Sequence, residues 1–82
     1  MTNPTLKHIK SIGRELTVRK TDGEYRIAYA IPAIMMARDC DYNEAREANE
    51  ASAYYTSDAS DALDTAVFMH NSYVNNPHCL KG

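Results

Sequence analysis

Asp22-Gly23, set between two runs that alternate in polarity, constrains this chain more than any other pair of residues. The runs are residues 14–21 (RELTVRKT) and 24–29 (EYRIAY). A two-residue connection between antiparallel strands closes in a type I′ turn, whose central residues both need positive φ, and Asp-Gly meets that need. The turn also dictates register. With Thr21 opposite Glu24, Lys20 meets Tyr25, Val18 meets Ile27 and Leu16 meets Tyr29, so every large apolar side chain falls on one face. A slip of one residue would turn half of them outward. The same register sets Arg19 against Arg26 on the other face, a like-charge apposition that costs a few tenths of a kcal/mol to about 1 kcal/mol. Glu24 or Glu15 is the expected relief, with an acidic partner as the functional alternative.

A hairpin alone cannot hide its apolar face, so the flanking segments must supply the cover. Upstream, Asn3 and Pro4 suit a helix start, with Leu6, Ile9 and Ile12 at helical spacing and Gly13 as a left-handed stop. Downstream, residues 51–56 read as a third strand in which Tyr54 and Tyr55 point to opposite faces; Ala51, Ala53 and Tyr55 make the more apolar set, and which tyrosine faces the core stays open. Ser57, Asp58, Ser60 and Asp61 cap and charge a helix start. Stepping 100° per residue gathers Ala59, Ala62, Leu63, Ala66, Val67, Met69, His70, Tyr73 and Val74 on one arc, while Asp61, Asp64 and Phe68 fall opposite.

Residues 30–50 are less regular. Ile31-Pro32 should end or bend the second strand, since proline lacks a ladder donor. Ile34, Met35 and Met36 are apolar without a clear period and suit either a cover over one end of the core or an exposed sticky loop. Asp41 caps a short surface helix with Glu44 at its third position and Asn49 as its stop. The expected class is therefore α+β: a three-stranded antiparallel sheet with its two main helices on one face, in the order α-β-β-(short α)-β-α. At 82 residues one domain is expected over 1–75, with 76–82 as a flexible tail.

Composition narrows function by exclusion. With 44% hydrophobic and 24% charged residues the chain is of ordinary globular make-up. No run approaches a membrane span, and no secretory leader is visible at the N-terminus, so a cytoplasmic product is expected. Cys40 and Cys79 are too few and too distant for a disulfide framework or a zinc site and are read as free thiols. Asp39, Asp41, Asn43 and Glu50 mimic a calcium-loop spacing, but the obligatory glycine position is Glu44 and the usual apolar position is Arg46, so the match is read as coincidence. His78-Cys79 makes no site on a tail. His8, His70 and His78 are scattered, and His70 is read as a core histidine with a local hydrogen bond. No nucleophile–base arrangement, phosphate loop or carboxylate pair emerges, and neither enzyme activity nor a cofactor is expected.

Charge is unevenly spread: +3 on residues 1–26 and −5 on 27–82. The element order, stripped of its middle insertion, is that of double-stranded-RNA-binding domains. Those domains need cations where the last helix begins, and this chain has Asp58, Asp61 and Asp64 there. Nucleic-acid binding is thus the alternative reading, carried by Lys7, Lys10, Arg14, Arg19, Lys20 and Arg26. The leading expectation is a domain that docks on a basic protein surface through Asp58, Asp61 and Asp64, anchored by Phe68 with Met35 or Met36. A sheet edge also offers pairing between two copies, so monomer and homodimer both stay open.

The run ASAYYTSDASDALDTA over residues 51–66, preceded by the DGEYRI hairpin, resembles a set of short reading frames in bacterial phages and prophages. In these a basic strand–turn–strand precedes an A-x-A-Y-Y-T-x-D-x-x-D-A element, and the likeness spans residues 14–70. The resemblance implies an accessory phage product and brings no established activity, so no functional residue is carried over. Products of this size often occlude a host machine, a nuclease or CRISPR-type complex among them.

Overall fold

The computed structural model describes residues 4–76. Its elements are α1 (Leu6–Lys10), β1 (Leu16–Thr21), β2 (Glu24–Tyr29), α2 (Ile31–Arg38), α3 (Tyr42–Ser52), β3 (Tyr54–Thr56) and α4 (Ala59–Asn75). The sheet runs β1-β2-β3 with both pairings antiparallel, which makes β2 central and the other two strands edges. The hairpin has the register expected of it, Thr21 facing Glu24 through to Leu16 facing Tyr29. Asp22 and Gly23 take φ of 53° and 80°, the left-handed values that the two-residue turn demands.

Leu16, Val18, Tyr25 and Ile27 are buried on one face with Ile9 of α1 and with Ala62, Ala66 and Met69 of α4. The small alanines let α4 lie close to the sheet. Tyr29 fastens the far end, its hydroxyl donating to the Met69 carbonyl at 3.0 Å, and Lys20 lies 5.2 Å from the Tyr25 ring centre at the turn end. The buried arc of α4 is narrower than its sequence period suggests. Val67 and Val74 are 37% and 58% exposed, because three strands are not wide enough to cover a seventeen-residue helix.

Helix α1 starts later and ends differently than expected. Thr5 is its cap, accepting from the His8 amide at 3.1 Å, and Asn3 lies outside the described residues. Ser11 ends it in a right-handed conformation, and Gly13 is not in the left-handed region. Gly13 is required by proximity instead. A Cβ there would stand 2.5 Å from Glu15 Oε1 and 2.6 Å from His70 Nδ1.

The second face of the sheet carries a layer that the sequence shows only in part. Residues 31–38 form a helix, started by Pro32 in its first turn and stopped by Asp39 at φ 51°. Ile34 is its one fully buried side chain, and so single a burial leaves no helical period to read. Asp41 caps α3 as expected, accepting from Glu44 N at 2.9 Å. Asn49 does not stop it; α3 continues to Ser52, and β3 shrinks to three residues. Helix α3 packs on β2 and α2 packs on α3, burying Ala28, Ile34 and Ala45 apart from the main core. The calcium-loop spacing is thereby accounted for: Asp39 and Asp41 are helix caps, and Asn43 and Glu50 lie along α3 rather than around a loop. Of the expected tail, residues 76–82, all but Asn76 lie outside the described residues, His78 and Cys79 among them; Cys40 is a free thiol. Among the described residues no helix is long and apolar enough to cross a membrane.

Candidate functional site

The outer edge of α4 brings together most of the residues expected to meet a protein partner. Asp58 is the helix cap: its Oδ1 accepts from Ser60 N at 2.8 Å and Asp61 N at 3.4 Å. Asp61 lies a turn further along and accepts from the Tyr54 hydroxyl at 2.7 Å. That hydrogen bond first, and the carboxylate's charge second, raise the Tyr54 phenol above its ordinary value of 10.0. Asp64 is exposed with no partner among the described residues. Phe68 follows on the same stripe, 72% exposed. None of Asp58, Asp61 and Asp64 forms an ion pair among the described residues.

Tyr54 shares a face with Ile27, and Tyr55 shares one with Arg26, an orientation the sequence leaves open and the more apolar set of Ala51, Ala53 and Tyr55 does not indicate. Those alanines are poor witnesses because Ala51 belongs to α3 and Ala53 to its end, outside the strand alternation. Tyr54 thus stands beside α4 and walls a groove of about 530 Å³ lined by Tyr29, Ser52, Tyr54, Asp64, Thr65, Phe68 and Met69. Met35 and Met36 do not join it. They lie on α2 across the sheet, Met35 half-buried and Met36 86% exposed.

The basic residues divide between the two faces. Lys7 and Lys10 are exposed on α1, which packs on β1 and α4, and Lys20 lies over Tyr25 on that side. Arg14 is exposed ahead of β1. Arg19 and Arg26 stand on the α3 side, where Arg26 is held firmly. Its Nη2 donates to Asn49 Oδ1 at 2.7 Å and pairs with Glu50 Oε1 at 3.2 Å, while Nε donates to the Tyr55 hydroxyl at 3.3 Å. The like-charge apposition with Arg19 is therefore relieved by Glu50 of α3, not by Glu15 or Glu24. Asn49 also donates to the Tyr29 carbonyl at 2.6 Å, and the Ser52 hydroxyl accepts from the Tyr29 amide at 3.3 Å.

Sequence reasoning missed the cleft beside this network. It holds about 310 Å³ and is lined by Thr17, Arg19, Arg26, Ile31, Pro32, Tyr42, Arg46, Asn49 and Glu50. The available signal was helical spacing alone: Tyr42, Arg46, Asn49 and Glu50 share one side of α3.

Glu15 is buried, and its partner is His70, with Nδ1 at 2.5 Å from Oε1. The bond of His70 is thus long-range in sequence where a local one was expected. Among the described residues, no three His, Cys, Asp or Glu side chains converge to hold a metal. No protein-family model matches the chain, and no curated protein or solved structure matches it either.

Proposed function

We propose that this chain is a small accessory protein, of the phage kind its sequence resembles, that acts without catalysis by covering a basic surface on a host protein. The surface is the outer edge of α4. The single observation that carries this reading is the coincidence of an apolar groove with unneutralised acids: Phe68, Tyr54 and Met69 line one depression with Asp64 at its side, and Asp61 is one turn away. An exposed ring supplies buried area on docking, and carboxylates beside it select a partner rich in Lys or Arg and speed its approach. Occlusion of a channel that handles nucleic acid follows naturally from that preference, because such channels are lined by the same cations. The nucleic-acid alternative draws less support, since its cations are split between two faces and Arg26 is already engaged by Glu50.

Capture from host lysate with the intact chain, compared with Phe68→Ala and Asp64→Lys variants of unchanged melting temperature, tests the reading. The expected result is a partner that elutes with rising salt and that both variants lose. Retention of the same partner by both variants sinks the assignment to α4. Tight binding of duplex RNA or DNA at low salt, abolished by alanine at Arg19 and Arg26, would replace it with the nucleic-acid reading.

A further inference from the structure

We propose a second site, independent of the α4 surface: the cleft between the outer face of the hairpin and the α2–α3 layer binds the phosphate group of a small phosphorylated ligand. Three guanidinium groups line it, those of Arg19, Arg26 and Arg46, against the single carboxylate of Glu50. Arg19 and Arg46 have no hydrogen-bond or ion-pair partner among the described residues. Arg26 is the fixed member. Asn49, Glu50 and Tyr55 take its Nη2 and Nε, and Nη1 has no acceptor among the described residues. The cleft therefore presents one preorganised donor and two unpartnered ones, with a net charge of about +2 that complements a phosphate dianion.

Shape and charge discriminate among anions. A carboxylate offers two oxygens and one charge, which a single guanidinium fork satisfies; three guanidinium groups suit an oxyanion with three acceptor oxygens. The 310 Å³ available lies at the lower end of small-molecule sites, and Ile31, Pro32 and the Tyr42 ring provide an apolar wall for the remainder of the ligand. A nucleic-acid strand fits less well. Helix α3 carries Glu44, Glu47 and Glu50 beside Arg46, which repel the phosphates flanking any bound one, and Lys7, Lys10 and Lys20 lie across the sheet.

The test is titration of the isotope-labelled full chain, followed by amide NMR, with inorganic phosphate, AMP, adenosine and a single-stranded oligonucleotide. Saturable shifts confined to the neighbourhood of Arg19, Arg26, Tyr42, Arg46 and Asn49 are expected with phosphate and AMP. AMP should bind more tightly, and adenosine should produce no such shifts. Arg19→Ala and Arg46→Ala remove exposed side chains with no hydrogen bond or ion pair among the described residues, so both should keep the wild-type melting temperature while weakening AMP roughly tenfold or more. Unsaturated shifts, adenosine binding as well as AMP, or indifference to Arg46→Ala would each overturn the proposal. An oligonucleotide that binds more tightly than AMP, with shifts spreading to Lys7 and Lys10, overturns it in favour of nucleic acid.

Discussion

On the face toward α1 and α4, the centre of β2 is occupied by Tyr25 and Ile27, shut away from water among Ile9, Val18, Ala62 and Ala66. On the face toward α3 the same strand offers Arg26, which is met by an amide, a carboxylate and a phenol. The first face gains from the area it buries, which is tolerant of geometry and proportional to size. The second depends on directed bonds around Arg26 and Asn49, with only the small apolar set of Ala28, Ile34 and Ala45 behind them. A thin domain can thus dress both sides of one sheet, one side by apolar burial and the other by polar anchoring.

The largest effect that would sharpen this contrast is Ile27→Ala. Ile27 is 0% exposed at the middle of the apolar face, so its truncation should cost about 2–5 kcal/mol by denaturant unfolding. Loss of the whole fold in one transition is expected. Asn49→Ala comes next, at about 1–3 kcal/mol, because the Tyr29 carbonyl and Arg26 each lose a partner in a partly buried setting. Its signature should be local: amide exchange accelerates through α2 and α3 while α4 keeps its protection. Equal acceleration in α4 would break the distinction between the two faces.

Gly13→Ala should cost a similar or smaller amount, about 1–3 kcal/mol, by forcing a methyl group against the Glu15–His70 pair. In a His70→Ala background the penalty should shrink, and strict additivity of the two changes would show that the close approach is not what Gly13 serves. The smallest effect is alkaline. Tyr54 has a phenol raised above 10.0 by Asp61, so the folded state holds that proton longer than the unfolded chain. The associated stability is fully present below about pH 10 and is lost as pH climbs through the folded value. Tyr54→Phe should therefore flatten the decline of stability in that range, and an unchanged slope would remove the Tyr54–Asp61 bond from the account.

The apolar face was legible in the sequence because its signals are local and periodic: Asp22-Gly23 sets the register, and Ala59, Ala62, Leu63, Ala66 and Met69 repeat at helical spacing. The acidic edge of α4 was legible for the same reason. The opposite layer was not, since what fixes it is a set of tertiary bonds from Arg26 and Tyr29 to residues some twenty positions away. Asn49 looked like a helix stop by propensity and is instead a buried bracket between strand and helix. Gly13 was misread likewise: composition marks a glycine, and only the arrival of His70 reveals why nothing larger fits.

The Glu15–His70 bond spans fifty-five positions of the chain. Until the final helix has been synthesised and docked, Glu15 must either stay in water or enter the interior without its hydrogen-bond partner, which is costly. A nascent or clipped chain ending before residue 70 is accordingly barred from the finished packing around β1. This one contact makes completion of the polypeptide a condition of its closure, and proteases should find shortened copies open where intact ones are sealed.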